Sequence, residues 1–133
     1  MNAIFADTFF YVALVSRNDA NHSKAVELSR QLIGPIVTTA WVLTEIGDAL
    51  AAPRQRPVFR LLLDSLLADS RVSIVPPSKQ LFDLGVDLYD SRPDKEWSLT
   101  DCISFTVMQQ MKLREALTGD HHFEQAGFRA LLS

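Results

Sequence analysis

Short apolar runs alternate with longer amphipathic stretches along this sequence, and the alternation limits its possible folds more than any other feature. The runs at residues 3–6, 36–38, 72–75 and 115–118 predict four short β-strands, and residues 129–132 are a candidate fifth. Between the runs, apolar residues recur at the spacing of amphipathic helices. Strands that alternate with helices are typical of a parallel sheet covered by helices. The sequence therefore predicts a three-layer α/β fold with a central, mainly parallel sheet of four or five strands.

Capping and helix-breaking residues mark the limits of the predicted helices. Asn21 and Ser78 are predicted N-caps, because their side chains can accept hydrogen bonds from the free backbone N–H groups at a helix start. Gly34 and Pro53 are predicted to end helices, and Pro57 to open one. The predicted helices cover residues 8–15, 21–34, 40–51, 57–67, 78–88 and 98–112.

Composition is typical of a soluble protein with one core. The 133 residues are 47% hydrophobic and 22% charged, which suffices for a core that needs no disulfide or structural metal. The single cysteine, Cys102, excludes a disulfide framework and suits a reducing cytoplasm. No stretch approaches the roughly 20 apolar residues of a membrane span, and Asp7 interrupts the apolar N-terminus. We expect one domain over residues 1–133, cytoplasmic and without membrane contact.

Four acidic residues occupy positions that matter in such a fold, since parallel sheets bind ligands beyond the carboxyl ends of their strands. Asp7 closes the first predicted strand, and Asp120 follows the fourth after Gly119. Glu45 and Asp101 lie on predicted helices, each on the side that carries apolar residues. Neither helical acid has a lysine or arginine three or four residues away to pair with.

Each acid taken singly also has a structural explanation. Ser98 and Asp101 fit a capping box, and Asp7 and Asp120 each precede a helical segment that they could cap. Glu45 could turn to solvent or pair with a distant arginine. The sequence alone leaves these alternatives open for every acid considered by itself.

Convergence of the four acids would require a cation. Two carboxylates about 5 Å apart repel by about 3 kcal/mol at an effective dielectric constant near 20, and a cluster contains several such pairs. A divalent cation offsets this repulsion, and a ligand set made only of oxygen favours Mg²⁺ or Mn²⁺ over zinc. Such ions can activate water for attack on a phosphodiester and stabilise the departing oxyanion.

The segments around these acids, FADTFFYVAL, TTAWVLTEIGDAL, SLTDCISFTVM and ALTGDHHFEQAGF, resemble the PIN-domain family of metal-dependent ribonucleases. The resemblance runs from residue 3 to residue 132, and the four short motifs come in the family's order and on the expected elements. Within the family, the sequence is most similar to toxins of the VapC kind. These proteins cleave RNA and are held inactive by a partner antitoxin.

The resemblance implies that Asp7, Glu45, Asp101 and Asp120 bind Mg²⁺ or Mn²⁺ and carry the cleavage of RNA phosphodiester bonds. It also implies a small antitoxin as partner and a homodimer. The homodimer is expected from the resemblance alone, because nothing in composition or periodicity demonstrates one. The target RNA is not specified.

Neighbours of the acids are implied to support the site. Thr8 and Thr118 would lie beside the acids and supply hydroxyl groups that hydrogen-bond to them. Phe9 departs from the family pattern, because many relatives have a small polar residue there. Phe9 and Phe10 are expected to form an apolar rim that an antitoxin segment could cover while an arginine or lysine meets the carboxylates.

Basic residues are the remaining candidates for RNA contacts, since the net charge of −3 gives no general attraction to polyanions. Arg54, Arg56 and Arg60 crowd the predicted turn between two helices and could bind phosphates, although a solvated turn explains them equally well. Lys95 could also meet phosphate. Trp97 could stack on a base, but a place in the core is favoured.

Other residues with chemical potential favour structural roles. His121 and His122 are adjacent and cannot share one helix face, so that packing or capping is favoured over a metal site. Cys102 and Met108 are predicted core residues on one helix.

Two other functions remain as alternatives. A signalling receiver domain has a similar size and layer pattern, but the acidic pair and the lysine that it requires are missing. A PIN fold that binds RNA or assembles with protein, without cleavage, is the other alternative.

Overall fold

A computed structural model describes residues 2–133 of the chain, and within them five short strands alternate with seven helices. The strands are β1 (Ile4–Ala6), β2 (Ile36–Thr39), β3 (Val72–Val75), β4 (Glu115–Leu117) and β5 (Arg129–Ala130). The helices are α1 (Thr8–Val15), α2 (His22–Gln31), α3 (Ala40–Ala49), α4 (Arg56–Ala68), α5 (Lys79–Ser91), α6 (Leu99–Gln110) and α7 (His121–Gln125). Neighbouring strands are parallel, which confirms the predicted α/β class.

The order of the strands creates one crevice in the sheet. The order is β3-β2-β1-β4-β5, whereas receiver domains have the order 2-1-3-4-5, so the receiver alternative is wrong. Because crossovers between parallel strands are right-handed, α1 to α4 cover one face and α5 to α7 the other. The chain leaves β1 and β4 in opposite directions, and the crevice opens at their carboxyl ends.

The observed ends of the helices show which of the predicted capping signals are used. Ser78 accepts a hydrogen bond from the Leu81 backbone N–H at 3.1 Å, as predicted for an N-cap. Asn21 occupies the N-cap position of α2, as predicted, but its side chain makes no capping bond. Helix α6 ends at Gln110, since residue 112 adopts a φ of 57°.

The core is built around α6, whose residues from Asp101 to Met108 are all buried. Cys102 and Met108 have no exposed surface, as predicted. The Phe105 ring stacks edge-on against Phe123 of α7, with 4.9 Å between centroids. This contact fixes α7 against α6 and thereby positions the start of both helices.

Helix α5 packs directly on α6 at a glycine. A β-carbon at Gly85 would lie 2.4 Å from Cγ1 of Ile103 and 3.4 Å from its Cα, so any larger residue would push the two helices apart. No helix within residues 2–133 is long and apolar enough to cross a membrane.

Candidate active site

Asp7 lies in the crevice directly after β1. The parallel register pairs Ala6 with Leu117, so that the next two residues, Asp7 and Thr118, stand side by side. The Thr118 hydroxyl donates to Oδ2 of Asp7 at 2.9 Å. Asp7 is only 4% exposed, and its side chain makes no capping bond to α1. The capping explanation of Asp7 is therefore wrong.

Glu45 reaches the same region from α3. The Thr8 hydroxyl, at the start of α1, donates a hydrogen bond to Oε1 of Glu45. Strands β1 and β2 are neighbours in the sheet, so α1 and α3 begin close together. Within residues 2–133, Oε2 of Glu45 receives no hydrogen bond and no arginine pairs with this carboxylate.

Asp101 is 8% exposed in the first turn of α6. The predicted capping box is confirmed, since Oδ2 of Asp101 accepts from the Ser98 backbone N–H at 3.1 Å and the Ser98 hydroxyl accepts from the Asp101 N–H at 3.0 Å. A ring nitrogen of His122 also lies 3.0 Å from Oδ2. Both contacts use Oδ2, and Oδ1 has no hydrogen-bond partner in the described part of the chain.

Asp120 caps α7 and also joins the cluster. Its Oδ1 accepts from the His122 backbone N–H at 2.9 Å, which confirms the capping explanation for this acid. The backbone N–H of Asp120 donates to the Thr118 hydroxyl at 3.1 Å, and that hydroxyl donates in turn to Asp7. Thr118 therefore links the acids that follow β1 and β4.

The four acids are electrostatic neighbours. Burial raises the pKa of Asp7 to about 7, and repulsion by Asp101 and Glu45 adds to this effect while the Thr118 hydrogen bond opposes it. Burial also raises the pKa of Asp101, with added repulsion from Asp120. No lysine or arginine in residues 2–133 forms an ion pair with any of these four carboxylates.

The raised pKa of Asp7 predicts an unusual pH dependence of stability in the metal-free protein. The carboxyl group of Asp7 has a pKa near 3.8 in the unfolded chain and about 7 in the folded protein. Between about pH 4 and pH 7, the folded protein therefore keeps a proton on Asp7 that the unfolded chain has released. The free energy of unfolding should therefore fall as pH rises through this window, by an amount of the order of 4 kcal/mol from Asp7 alone. Urea titrations in EDTA from pH 4 to pH 8 measure it.

Asp7→Asn is the matched control for this pH effect. The variant retains a smaller slope, because Asp101 also has a raised pKa. Equal slopes in the two proteins would contradict the buried, uncompensated carboxylate that the geometry indicates.

The donor set suits a hard divalent cation. All four side chains offer carboxylate oxygen, and free oxygens remain on Glu45 and Asp101 after the protein's own hydrogen bonds are formed. Within residues 2–133, the set of three or more potential ligands whose donor atoms all lie within 4.8 Å of one another is Asp120, His121 and His122, and it includes one of the four acids. Nδ1 of His122 in this set also contacts Oδ2 of Asp101, which lies outside the set.

His122 is a neighbour of the site that sequence reasoning missed. Packing or capping was favoured for it, yet its ring contacts two of the four acids and only 17% of its side chain is exposed. A signal existed in the sequence, because a residue two positions after an N-cap aspartate presents its backbone N–H to that cap. The contact with Asp101 depends on the packing of α6 and could not be inferred.

The apolar rim differs from expectation in one residue. Phe10 is 2% exposed and stacks on Tyr11, so its predicted place at the rim is wrong. Phe9 is half-buried and lies against Gly119, where a β-carbon would come within 2.6 Å of its ring. Glycine at this position accommodates the aromatic ring that departs from the family pattern.

The basic candidates are surface residues with mixed surroundings. Arg54 lies in the turn before α4, and Arg56 donates from Nε to the Ala51 carbonyl at 2.8 Å. Arg60 is on α4 itself and not in the turn, and it pairs with Asp64 at 2.6 Å. A role of these arginines in RNA contacts stays a prediction.

Lys95 lines an open groove of about 810 Å³ that reaches the start of α6. Trp97 belongs to the core, as favoured, because it is 6% exposed and its Nε1 donates to Gln125. The Arg92 guanidinium covers the Trp97 ring at 5.1 Å, which leaves this indole no room for a base.

Comparison with known proteins decides the family. The PIN domain model matches residues 4–129, nearly the whole chain. The chain belongs to the PIN domain family. The resemblance inferred from the sequence motifs is thereby confirmed. A comparison with curated protein sequences gives no match.

Several solved structures share this fold. Mycobacterium tuberculosis VapC20, described as a sarcin-ricin loop cleaving toxin, is 25% identical, with a TM-score of 0.86 over 94% of this chain and 95% of its own. A chain of VapBC2 from Rickettsia felis, bound to a promoter DNA fragment, is 14% identical, with a TM-score of 0.68 and 97% coverage of both chains. FitAcB from Neisseria gonorrhoeae gives 17% identity and a TM-score of 0.68, covering 96% of this chain and 94% of its own.

Proposed function

We propose that this PIN domain is an endoribonuclease that depends on Mg²⁺ or Mn²⁺ and serves as the toxin of a toxin-antitoxin pair. One observation carries the proposal: Asp7 is a buried carboxylate beside two other acids and has no lysine or arginine partner. The carboxylates of such a cluster repel one another, and a bound cation offsets this repulsion. The description of VapC20 as a sarcin-ricin loop cleaving toxin supports the ribonuclease activity.

Asp7, Glu45, Asp101 and Asp120 would hold the ion, which would supply a water of lowered pKa and charge stabilisation at the leaving oxygen. Thr118 orients Asp7 and the backbone of Asp120 at once, because its hydroxyl bonds to both. Thr8 orients Glu45 in the same way. Glu45 makes no capping bond, and its Oε2 accepts no hydrogen bond within the described residues, so this oxygen is free to bind the ion.

RNA would approach across the surface beside α6. Lys95 is the candidate phosphate contact nearest to this helix along the chain, and Leu99 and Cys102 of α6 line the same groove. Arg54, Arg56 and Arg60 remain more distant candidates in sequence. The proposal is tested by incubating single-stranded RNA with the purified protein, with Mn²⁺ or with EDTA. RNA binding without cleavage in Mn²⁺ would favour the non-cleaving alternative.

The proposed partners are a small antitoxin and a second copy of the chain. The VapBC2 and FitAcB structures support the antitoxin, and the homodimer rests on the family resemblance. The antitoxin would cover the crevice with an arginine or lysine at the carboxylates and an apolar side chain near Phe9.

We expect the protein to co-purify from its native host with a small protein and to exceed 14.9 kDa by native mass spectrometry. Asp7→Asn should weaken the complex, because it removes one charge that attracts the partner's cation. Asp83→Asn, on the exposed surface of α5, should leave it intact. A lone monomer, with no growth arrest on overexpression, would contradict the toxin role.

A further inference from the structure

His122 contacts two of the four acids through one ring nitrogen. Its Nδ1 lies 3.0 Å from Oδ2 of Asp101 and 3.4 Å from Oδ1 of Asp120. Its backbone N–H donates to the same Asp120 oxygen at 2.9 Å. The side chain is 17% exposed, so the ring is held within the protein and not on its surface.

The charge state of Asp101 determines the direction of its bond to His122. An ionised carboxylate only accepts hydrogen bonds, so ionised Asp101 requires the imidazole proton to be on Nδ1. Oδ2 of Asp101 then receives two donors, His122 Nδ1 and the Ser98 backbone N–H at 3.1 Å. Both donors bind Oδ2, so Oδ1 of Asp101 has no hydrogen-bond partner in the described residues.

We propose that His122 is a positioning residue that holds Asp101 and Asp120 with their free oxygens turned toward one cation. The inference rests on the proposed function, because it assumes that these acids bind the ion. Residues behind metal ligands orient the ligands in this way, and their loss typically weakens metal affinity by about 10- to 100-fold. In this protein the supporting residue is His122 of α7, which contacts both Asp101 and Asp120.

The position of α7 makes this role possible. Phe123, the next residue, has no exposed surface and packs against Phe105 of α6 and Phe5 of β1. This anchor keeps the His122 ring at the start of α6. His121, by contrast, has 72% of its side chain exposed and lies 3.7 Å from Asp120. His121 is therefore a matched control for His122, because only His122 lies within hydrogen-bond distance of the acids.

The test measures Mn²⁺ affinity by isothermal titration calorimetry in four forms of the whole chain: wild type, His122→Ala, His122→Asn and His121→Ala. We expect about 10-fold or more weaker binding in His122→Ala. His122→Asn should recover most of the affinity, because the asparagine amide N–H₂ stands where Nδ1 stood. His121→Ala should bind Mn²⁺ like the wild type.

A structural role alone has a different signature. If His122 is only structural, metal-free His122→Ala should melt at a lower temperature than the wild type. Its Mn²⁺ affinity, measured well below that temperature, should be unchanged. This result would overturn the inference. Loss of affinity in His121→Ala as large as in His122→Ala would also overturn it and would point to the Asp120, His121 and His122 set as the metal site. Absence of Mn²⁺ binding in the wild type would instead refute the proposed function.

The histidine ring gives a second readout that needs no metal. In ¹⁵N NMR spectra of the metal-free protein, His122 should show the tautomer with the proton on Nδ1. Asp101→Asn should alter the ring signals of His122 and leave those of His22 unchanged, since His22 contacts the Ala13 carbonyl instead. A His122 ring protonated only on Nε2 would overturn the inference.

Discussion

Replacement of Asp7 by asparagine should reduce cleavage of single-stranded RNA by more than about 100-fold, because loss of a metal ligand should exceed the 10- to 100-fold typical of a residue behind the ligands. The same change should make the metal-free protein more stable. It removes a buried charge that has no lysine or arginine partner, while the amide oxygen can still accept the Thr118 hydroxyl bond. Lower activity together with higher stability separates a site residue from a structural one.

The measurement combines initial rates of RNA cleavage in Mn²⁺ with urea unfolding in EDTA. Asp83→Asn is the control, because it neutralises an exposed aspartate that pairs with Lys79 on α5. The control should retain wild-type cleavage. Full cleavage by Asp7→Asn, with contaminating nuclease excluded, would remove Asp7 from the catalytic site.

The second large effect concerns metal and thermal stability. An ion that binds the folded protein and not the unfolded chain stabilises folding by about 2.7 kcal/mol at 100 times its dissociation constant. The melting temperature of the wild type should therefore rise by several degrees in millimolar Mn²⁺. Asp101→Asn should abolish most of this rise, because Oδ1 of Asp101 is one of the free carboxylate oxygens.

Differential scanning calorimetry with and without Mn²⁺ checks this expectation, and Asp83→Asn again serves as the control. Metal-free Asp101→Asn should be at least as stable as the wild type, since an amide oxygen can still accept from Ser98. Equal rises in Asp101→Asn and the wild type would show that the ion binds elsewhere.

Local sequence signals predicted the elements that carry the acids. Apolar runs located the strands, and the two acids were recognisable because Asp7 directly follows β1 and Asp120 comes three residues after the end of β4. The Ser98 to Asp101 capping box depends only on residues three apart, so the sequence specifies it. Such features could be predicted because they involve neighbours along the chain.

Contacts between distant segments explain what the sequence did not predict. His122 reaches Asp101 across 21 positions, and this contact depends on the packing of α7 against α6. Phe10 was expected at the rim, but the helical rotation of α1 turns it into the core and leaves Phe9 toward Gly119. The strand order likewise depends on pairing between distant segments, and only the structure excludes the receiver alternative.

The most direct test of the account is the position of a bound ion. Crystals of the wild type soaked in Mn²⁺ would locate the metal by its anomalous scattering. The account predicts a peak coordinated by Asp7 and Asp101, with the other two acids at or near the coordination shell. A peak bound instead by His121, or none in crystals soaked at millimolar Mn²⁺, would contradict the carboxylate metal site on which the proposed ribonuclease activity depends.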